Sequence, residues 1–244
     1  MPHVVRAGTG PRILLIHGSA ADHTTWSIQL ASSLKQRFTL IAYDRAPAET
    51  VEAQADEAVA LLADDPAPAL IVGSSFGAVV ALDVIRRHRV AAGAVLIEPP
   101  MGASDEVPAA PAAFLAAYDR RMAEQGGPAA AELFLRTVLG DAAYERMPRT
   151  FQDRAKAKAL EIRADSAALL AYRPRYAELR AVTTPVLLLG GERSASYFRP
   201  TLDALFAALP DARFEIIPAA GHMLHAEAHR RFAEALTAFA LACL

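Results

Sequence analysis

Gly73-Ser74-Ser75-Phe76-Gly77 sets one serine between glycines two residues before and two residues after it. The pentapeptide follows the apolar run Leu70-Ile71-Val72 and precedes the helical pattern Ala78-Val79-Val80-Ala81-Leu82. A strand that turns this tightly into a helix strains its middle residue and brings the two elements so close that the flanking positions must be small. The strain lifts the Ser75 hydroxyl above the sheet, and the helix behind it aims its first N–H groups at the reacting centre. The chemistry this predicts is nucleophilic attack by Ser75. A Gly/Ser loop that merely joins a strand to a helix is the plain alternative, and the apolar patterns on both sides argue against it.

A serine hydroxyl is a poor nucleophile at neutral pH and needs a base within hydrogen-bond reach. His222, in Pro218-Ala219-Ala220-Gly221-His222, stands just past the last apolar run and before the final helical stretch, at the same end of a parallel sheet as Ser75. His88 closes a helix, His225 and His229 lie on or near the last helix, and His3 is terminal, so each is a weaker candidate. Acyl chemistry also needs donors for the developing oxyanion. The N–H of Phe76, directly after the nucleophile, is one. The other is expected at Ser19, in Ile13-Leu14-Leu15-Ile16-His17-Gly18-Ser19, where Gly18 lets the chain turn sharply. His17 is read as a brace for this loop. Trp26, on the helix that follows, is a candidate substrate contact, with packing against the loop as the other reading.

These residues require a scaffold of strands whose carboxyl ends face one way. Short runs rich in Ile, Val and Leu over 12–17, 38–43, 69–74, 94–98, 186–190 and 213–217 alternate with helical patterns over 25–35, 51–63, 76–87, 199–208 and 226–242. The alternation predicts an α/β architecture, a mostly parallel sheet with helices on both faces and ligands bound outside the strand ends. It stops between Pro99 and Pro185, where the chain is Ala- and Arg-rich with helical patterns over 111–125, 128–139, 151–162 and 165–171. That interval reads as a helical lid, residues 100–184, inserted in a core made of residues 1–99 and 185–244.

A length of 244 residues suits one domain with an insertion. The net charge of −2 offers no field for nucleic acid or an anionic membrane. The basic cluster Arg86-Arg87-His88-Arg89 ends the helix after Ser75, where it complements the helix dipole. One cysteine, Cys243, excludes an internal disulfide framework, and no His/Cys cluster has metal-ligand spacing. No metal or cofactor is expected. The N-terminus has no signal-peptide pattern and no apolar run approaches a membrane span, so a cytoplasmic protein acting on a small molecule is expected. Nothing in the sequence sets an oligomeric state.

At this point the chain resembles the α/β-hydrolase family. The resemblance rests on His17-Gly18 followed by Trp26, Tyr43-Asp44-Arg45 after the next strand, Gly73 to Gly77, and Gly221-His222, and it spans nearly the whole chain. The loop Ala46-Pro47-Ala48-Glu49 departs from it, lacking the Gly-rich turn common in relatives. The resemblance implies a third member, an acid that orients the imidazole and stabilises the imidazolium. Most relatives carry an Asp after the strand that follows the lid, but here that position reads Ser194, in Gly190-Gly191-Glu192-Arg193-Ser194. Glu192 is nearby. Glu98, which ends the strand expected beside the nucleophile strand and precedes Pro99-Pro100, is the preferred assignment; some relatives likewise carry a Glu there. An ion pair pinning the lid hinge is the structural alternative for Glu98.

The expected activity is hydrolysis of an ester or lactone through an acyl-enzyme on Ser75, His222 and Glu98, with Met101 and Met223 flanking the site as candidate substrate contacts. Core packing is an equal reading for both methionines. Two rivals stand: C–C bond hydrolysis or a lyase reaction on the same triad, and a hydrolase-like ligand receptor with slow turnover. Dehalogenation is disfavoured, because it needs a carboxylate where Ser75 stands.

Overall fold

Strand β4 (Ala69–Ser74) is the centre of a seven-stranded sheet in the computed structural model, which describes residues 2–47, 50–107 and 112–244. The other strands are β1 (Val4–Ala7), β2 (Arg12–Ile16), β3 (Thr39–Tyr43), β5 (Ala91–Ile97), β6 (Val186–Gly191) and β7 (Ala212–Ile217). Their order is β1-β3-β2-β4-β5-β6-β7. Every pair is parallel except β1 with β3, where Val4 faces Tyr43 across an antiparallel ladder. The α/β architecture with a mostly parallel sheet is therefore as expected. Strands β2, β4 and β6 are buried along their whole length, the condition under which a strand reads as an unbroken apolar run. Strand β1 escaped the sequence reading for the opposite reason: Val4-Val5-Arg6-Ala7 is a four-residue, half-buried edge with neighbours on one side only.

Alternate residues of each strand feed separate cores, as the pleat requires. Ile13 and Leu15 of β2 face one layer with Trp26, Leu34, Phe232, Leu236 and Phe239. Leu14 and Ile16 face the other with Val51, Ala55, Val79, Leu82 and Leu205. The helices are α1 (Ser27–Ala31), α2 (Val51–Ala60), α3 (Phe76–Arg87), α4 (Ala112–Gln125), α5 (Gly127–Leu139) and α6 (Asp141–Arg146). They continue with α7 (Arg149–Lys156), α8 (Ala159–Ala171), α9 (Tyr176–Leu179), α10 (Phe198–Ala208), α11 (Leu224–Glu227) and α12 (His229–Cys243). Helices α4 to α9 all lie between β5 and β6, with no strand among the described residues of that interval.

Several helix bounds differ from the periodicity. The stretch expected as one helix over 25–35 is a 3-10 turn at His23–Trp26, the short α1, and a second 3-10 turn at Ser33–Gln36. Side-chain oxygens break it up: Asp22 accepts from the Thr24 N–H, Ser32 adopts an extended backbone, and its Oγ accepts from the Leu34 N–H at 3.2 Å. The last helical pattern divides at Ala228 into α11 and α12. In the opposite direction, 165–171 is the end of a longer helix, α8, and the break falls earlier, at Ala157-Lys158. Residue 111 and the Ala48-Glu49 part of the shortened loop lie outside the described residues.

Candidate active site

Ser75 sits at φ 56° and ψ −124°, a strained conformation between β4 and α3, with its N–H bonded to the Ile97 carbonyl of β5 at 2.8 Å. The two glycines are dictated by contact. A Cβ on Gly73 would lie 2.1 Å from the Gly77 carbonyl oxygen, and a Cβ on Gly77 would lie 2.3 Å from the Ile16 oxygen of β2. The turn thus seats α3 directly on the neighbouring strand and leaves Ser75 half-buried at the sheet's carboxyl end. The Phe76 N–H, at the first position of α3, is among the donors that a helix cannot satisfy internally.

His222 lies beyond β7 and is buried. Its Nδ1 is 2.6 Å from Oε2 of Glu98, whose other oxygen accepts the Gly191 N–H at 2.7 Å. Glu98 is itself 1% exposed and has φ 45°, and its N–H reaches the Leu189 carbonyl at 3.1 Å. Both carboxylate oxygens are therefore occupied, one by the backbone of β6 and one by the imidazole. Phe198 stacks on the His222 ring with centroids 4.4 Å apart and planes within 8°. Glu192 does something else: it is exposed and accepts the Ala219 N–H at 2.8 Å, holding the loop that carries His222. Ser194 brings no charge to the site. Its Oγ is buried, without a hydrogen-bond partner among the described residues.

The loop after β2 is packed onto Ser75. A Cβ on Gly18 would come within 2.9 Å of the Ser75 Cβ. His17 is a brace and not a base: its Nε2 accepts the Arg45 N–H at 3.1 Å, so Nδ1 carries the proton and donates to the Gly18 carbonyl at 2.8 Å. Arg45 holds the same loop from below, with Nε to the His17 carbonyl at 3.0 Å and Nη2 to the Gly18 carbonyl at 3.2 Å. Its guanidinium lies over the Phe76 ring, 4.6 Å from the centroid. Asp165 of α8 closes the arrangement with two hydrogen bonds from Arg45, at 3.1 and 2.8 Å, and one from Ser19 Oγ at 2.7 Å. Reading the sequence missed Asp165 altogether. An acid among the small and apolar residues of the second half of α8, Ala164-Asp165-Ser166-Ala167-Ala168-Leu169, was the available signal.

Ser75 and His222 open into one cavity of about 550 Å³. Phe134, Leu135, Val138 and Leu139 of α5 with Phe151 of α7 form one wall, and Ile28 and Met223 lie on the core side. Arg146, Arg154, Lys158 and Arg193 also line it, against the carboxylates of Asp22 and Glu227, so positive charge is in excess. Met223 is thus at the site. The other two candidate substrate contacts are corrected. Trp26 is fully enclosed, its ring 4.7 Å from His225, and it packs under the loop instead of lining the cavity. Met101 belongs to the core on the α3 side of the sheet, and its carbonyl accepts the Thr201 hydroxyl. Asp22, His23 and Asp44 also converge, with ligand-type atoms within 4.8 Å. Arg154 holds Asp22 and the His23 ring holds Asp44, so this is an ion-paired cluster.

Two buried histidines give stability a pH dependence. Burial, with Arg45 beside it, pushes His17 down to about 3, and burial with His222 nearby does the same to His225. Below pH 6.5 the unfolded chain takes up protons that the folded one refuses until about pH 3. The stabilisation is therefore complete above pH 6.5 and declines as pH falls toward 3. Urea unfolding at pH 7 and pH 5 should show a loss of about 2 kcal/mol for each histidine, and His225→Phe should remove about half of that slope.

A family model described as the alpha/beta hydrolase family matches residues 13–235, and the chain belongs to that enzyme family. Among curated proteins it is 36% identical over 98 residues to the uncharacterized hydrolase YraK of Bacillus subtilis (strain 168), covering 35% of this chain and 36% of that protein. The fold is shared with a thermophilic esterase from Thermogutta terrifontis, at TM-score 0.82 and 24% identity over 98% of this chain and 92% of that one. It is shared also with the enol-lactonase from Burkholderia xenovorans LB400, at TM-score 0.81 and 20% identity over 98% and 95%. No helix among the described residues is long and apolar enough to cross a membrane.

Proposed function

We propose that this chain is a serine hydrolase that cleaves a carboxylic ester or lactone through an acyl-enzyme. Ser75 Oγ attacks the carbonyl carbon while His222 takes its proton, and Glu98 holds the imidazole in the Nδ1–H tautomer and stabilises the imidazolium. The N–H groups of Ser19 and Phe76 bind the oxyanion. As the tetrahedral adduct collapses, the C–O bond to the leaving alcohol breaks and the alkoxide takes the proton from His222. Water, deprotonated by the same imidazole, then attacks the acyl carbon and frees Ser75. Substrate and water balance every step.

The observation that carries this reading is the 2.6 Å contact of His222 with a fully buried carboxylate, in the same cavity as a strained elbow serine. The kinship with an esterase and an enol-lactonase in fold supports the choice of carbonyl substrate. Helices α4 to α9 act as the lid over the core, their apolar wall receiving the acyl part and the excess of cationic side chains lining the cavity suiting an anionic end. The single cysteine and the near-neutral charge fit a cytoplasmic enzyme for small molecules.

The test pairs a fluorophosphonate with chromogenic esters, one neutral and one bearing a distal carboxylate. Stoichiometric labelling of Ser75 and steady turnover of the esters, both abolished in Ser75→Ala, are expected. Labelling with a single burst and no steady state would favour the ligand receptor instead. Labelling without turnover of any ester, but with cleavage of a β-diketone, would favour C–C hydrolysis.

A further inference from the structure

We infer that Asp165, on helix α8 between β5 and β6, is a positioning residue for the oxyanion hole and acts through Arg45 and Ser19. The inference rests on the serine-hydrolase reading above. Three facts converge on it. The Arg45 and Asp165 side chains are each 5% exposed, so the pair is enclosed in protein. A buried guanidinium and carboxylate of this kind offset their desolvation only through further hydrogen bonds beyond the pair itself, and here three such bonds go to one loop. Arg45 spends Nε and Nη2 on the carbonyls of His17 and Gly18, and Asp165 takes the hydroxyl of Ser19.

The bonded residues are those whose backbone must hold still. With the carbonyls of 17 and 18 pinned to Arg45, the peptide N–H groups of Gly18 and Ser19 are fixed in orientation, because each peptide is planar. The Ser19 side chain, anchored to Asp165, fixes that residue from the other end. The same guanidinium presses on the ring of Phe76, which supplies the second donor. Both halves of the proposed hole thus rest on one cation, and that cation is oriented by an acid borne on a helix outside the core strands. Asp165 touches no reacting atom. Its effect should appear where the oxyanion forms and not where substrate binds, since a hole misplaced by a fraction of an ångström is penalised only in the transition state.

The experiment uses the full chain. Labelling of wild type by a fluorophosphonate at Ser75 comes first; its failure would overturn the serine-hydrolase reading, and this inference with it. Asp165→Asn, which keeps the shape and loses the charge, is then assayed on the neutral ester, with a boronic acid as the probe of the tetrahedral state. We expect kcat to fall about 10- to 100-fold, KM to stay within about threefold, and boronate affinity to weaken in step with kcat. Ser19→Ala, which removes one hydrogen bond and leaves the ion pair, should show the same pattern at about 3- to 10-fold and serves if Asp165→Asn does not fold. Unchanged kcat in a folded Asp165→Asn, or in Ser19→Ala where only that variant folds, would overturn the inference. So would a fall in kcat with boronate affinity intact.

Discussion

Glu98→Gln should lower kcat on a simple ester by about 10³- to 10⁴-fold with little change in folding, while Glu192→Gln should retain activity within a few-fold. The reasoning starts from the proton on His222. Glu98 lies 2.6 Å from Nδ1, so in the proposed mechanism Nδ1 carries the proton and Nε2 is left as the base. Glutamine at 98 keeps the size and can still accept the Gly191 N–H through its carbonyl, but then its NH2 faces Nδ1. An amide donor there favours the opposite tautomer, with the proton on the nitrogen needed for catalysis. The same exchange in the Asp of a serine-protease triad lowers kcat by about 10⁴-fold. Glu192, by contrast, is held to a backbone N–H in the loop before His222, an exposed contact worth about 1 kcal/mol. The measurement is kcat for both variants beside their thermal midpoints. Wild-type turnover in Glu98→Gln would remove the acid role from Glu98, and collapse in Glu192→Gln alone would transfer it.

Gly77→Ala should destabilise the protein by about 3 kcal/mol or more, at or beyond the upper end of the usual cost of overpacking. The methyl would sit 2.3 Å from the Ile16 oxygen and 2.6 Å from the His17 oxygen. Both atoms are backbone. β2 is buried and paired on both sides, to β3 and β4, so it cannot move away, and α3 must tilt off the sheet instead. That tilt carries Ser75 and Phe76 with it. Denaturant unfolding should therefore show the loss, and the remaining folded fraction should hydrolyse ester much more slowly per molecule. An alanine at 140 is the contrast: Gly140 has nothing within 4 Å of its Cβ position, so crowding contributes nothing there and only its φ of 80° is penalised. Gly140→Ala should lose about 1–3 kcal/mol through backbone strain alone, since φ 80° with ψ 154° suits only glycine, and leave per-molecule activity unchanged.

The difference between these two glycines shows how much of the molecule could be read in advance. Six of the seven strands follow from runs rich in Ile, Val and Leu: β2, β4 and β6, buried throughout, are almost wholly apolar, and the edge strand β7 is legible from Phe214, Ile216 and Ile217 although it carries Arg213 and Glu215. The exception, β1, is a four-residue edge with Arg6 among its residues, too short to show a pattern. Helix existence was legible except for the short α6 and α9, and helix continuity was not. Whether Ser32 ends a helix depends on where its hydroxyl finds a partner, and periodicity contains nothing about that. For Trp26 and Met101 the packing reading, already the stronger one for Trp26, is the one the cores support: proximity in sequence to a site says little about whether a side chain faces the cavity or the core.

Within the site, the sequence by itself determined what is built from consecutive residues. The elbow is such a unit, since the strand, the strained Ser75 and the two glycines enforce one another within five positions, and His222 follows from its place after the last strand. For the acid, the strand end and the family resemblance pointed to Glu98 with Glu192 left open, and the tertiary structure shows Glu98 against that imidazole; only the tertiary structure decided which acid supports the loop after β2 and which residues wall the cavity. Glu98 and His222 are 124 positions apart, Arg45 and Asp165 120, and Ser19 and Asp165 146. A charge in a one-dimensional chain carries no mark of its partner. The pairing arises when the sheet order and the packing of the intervening helices bury both members in one place.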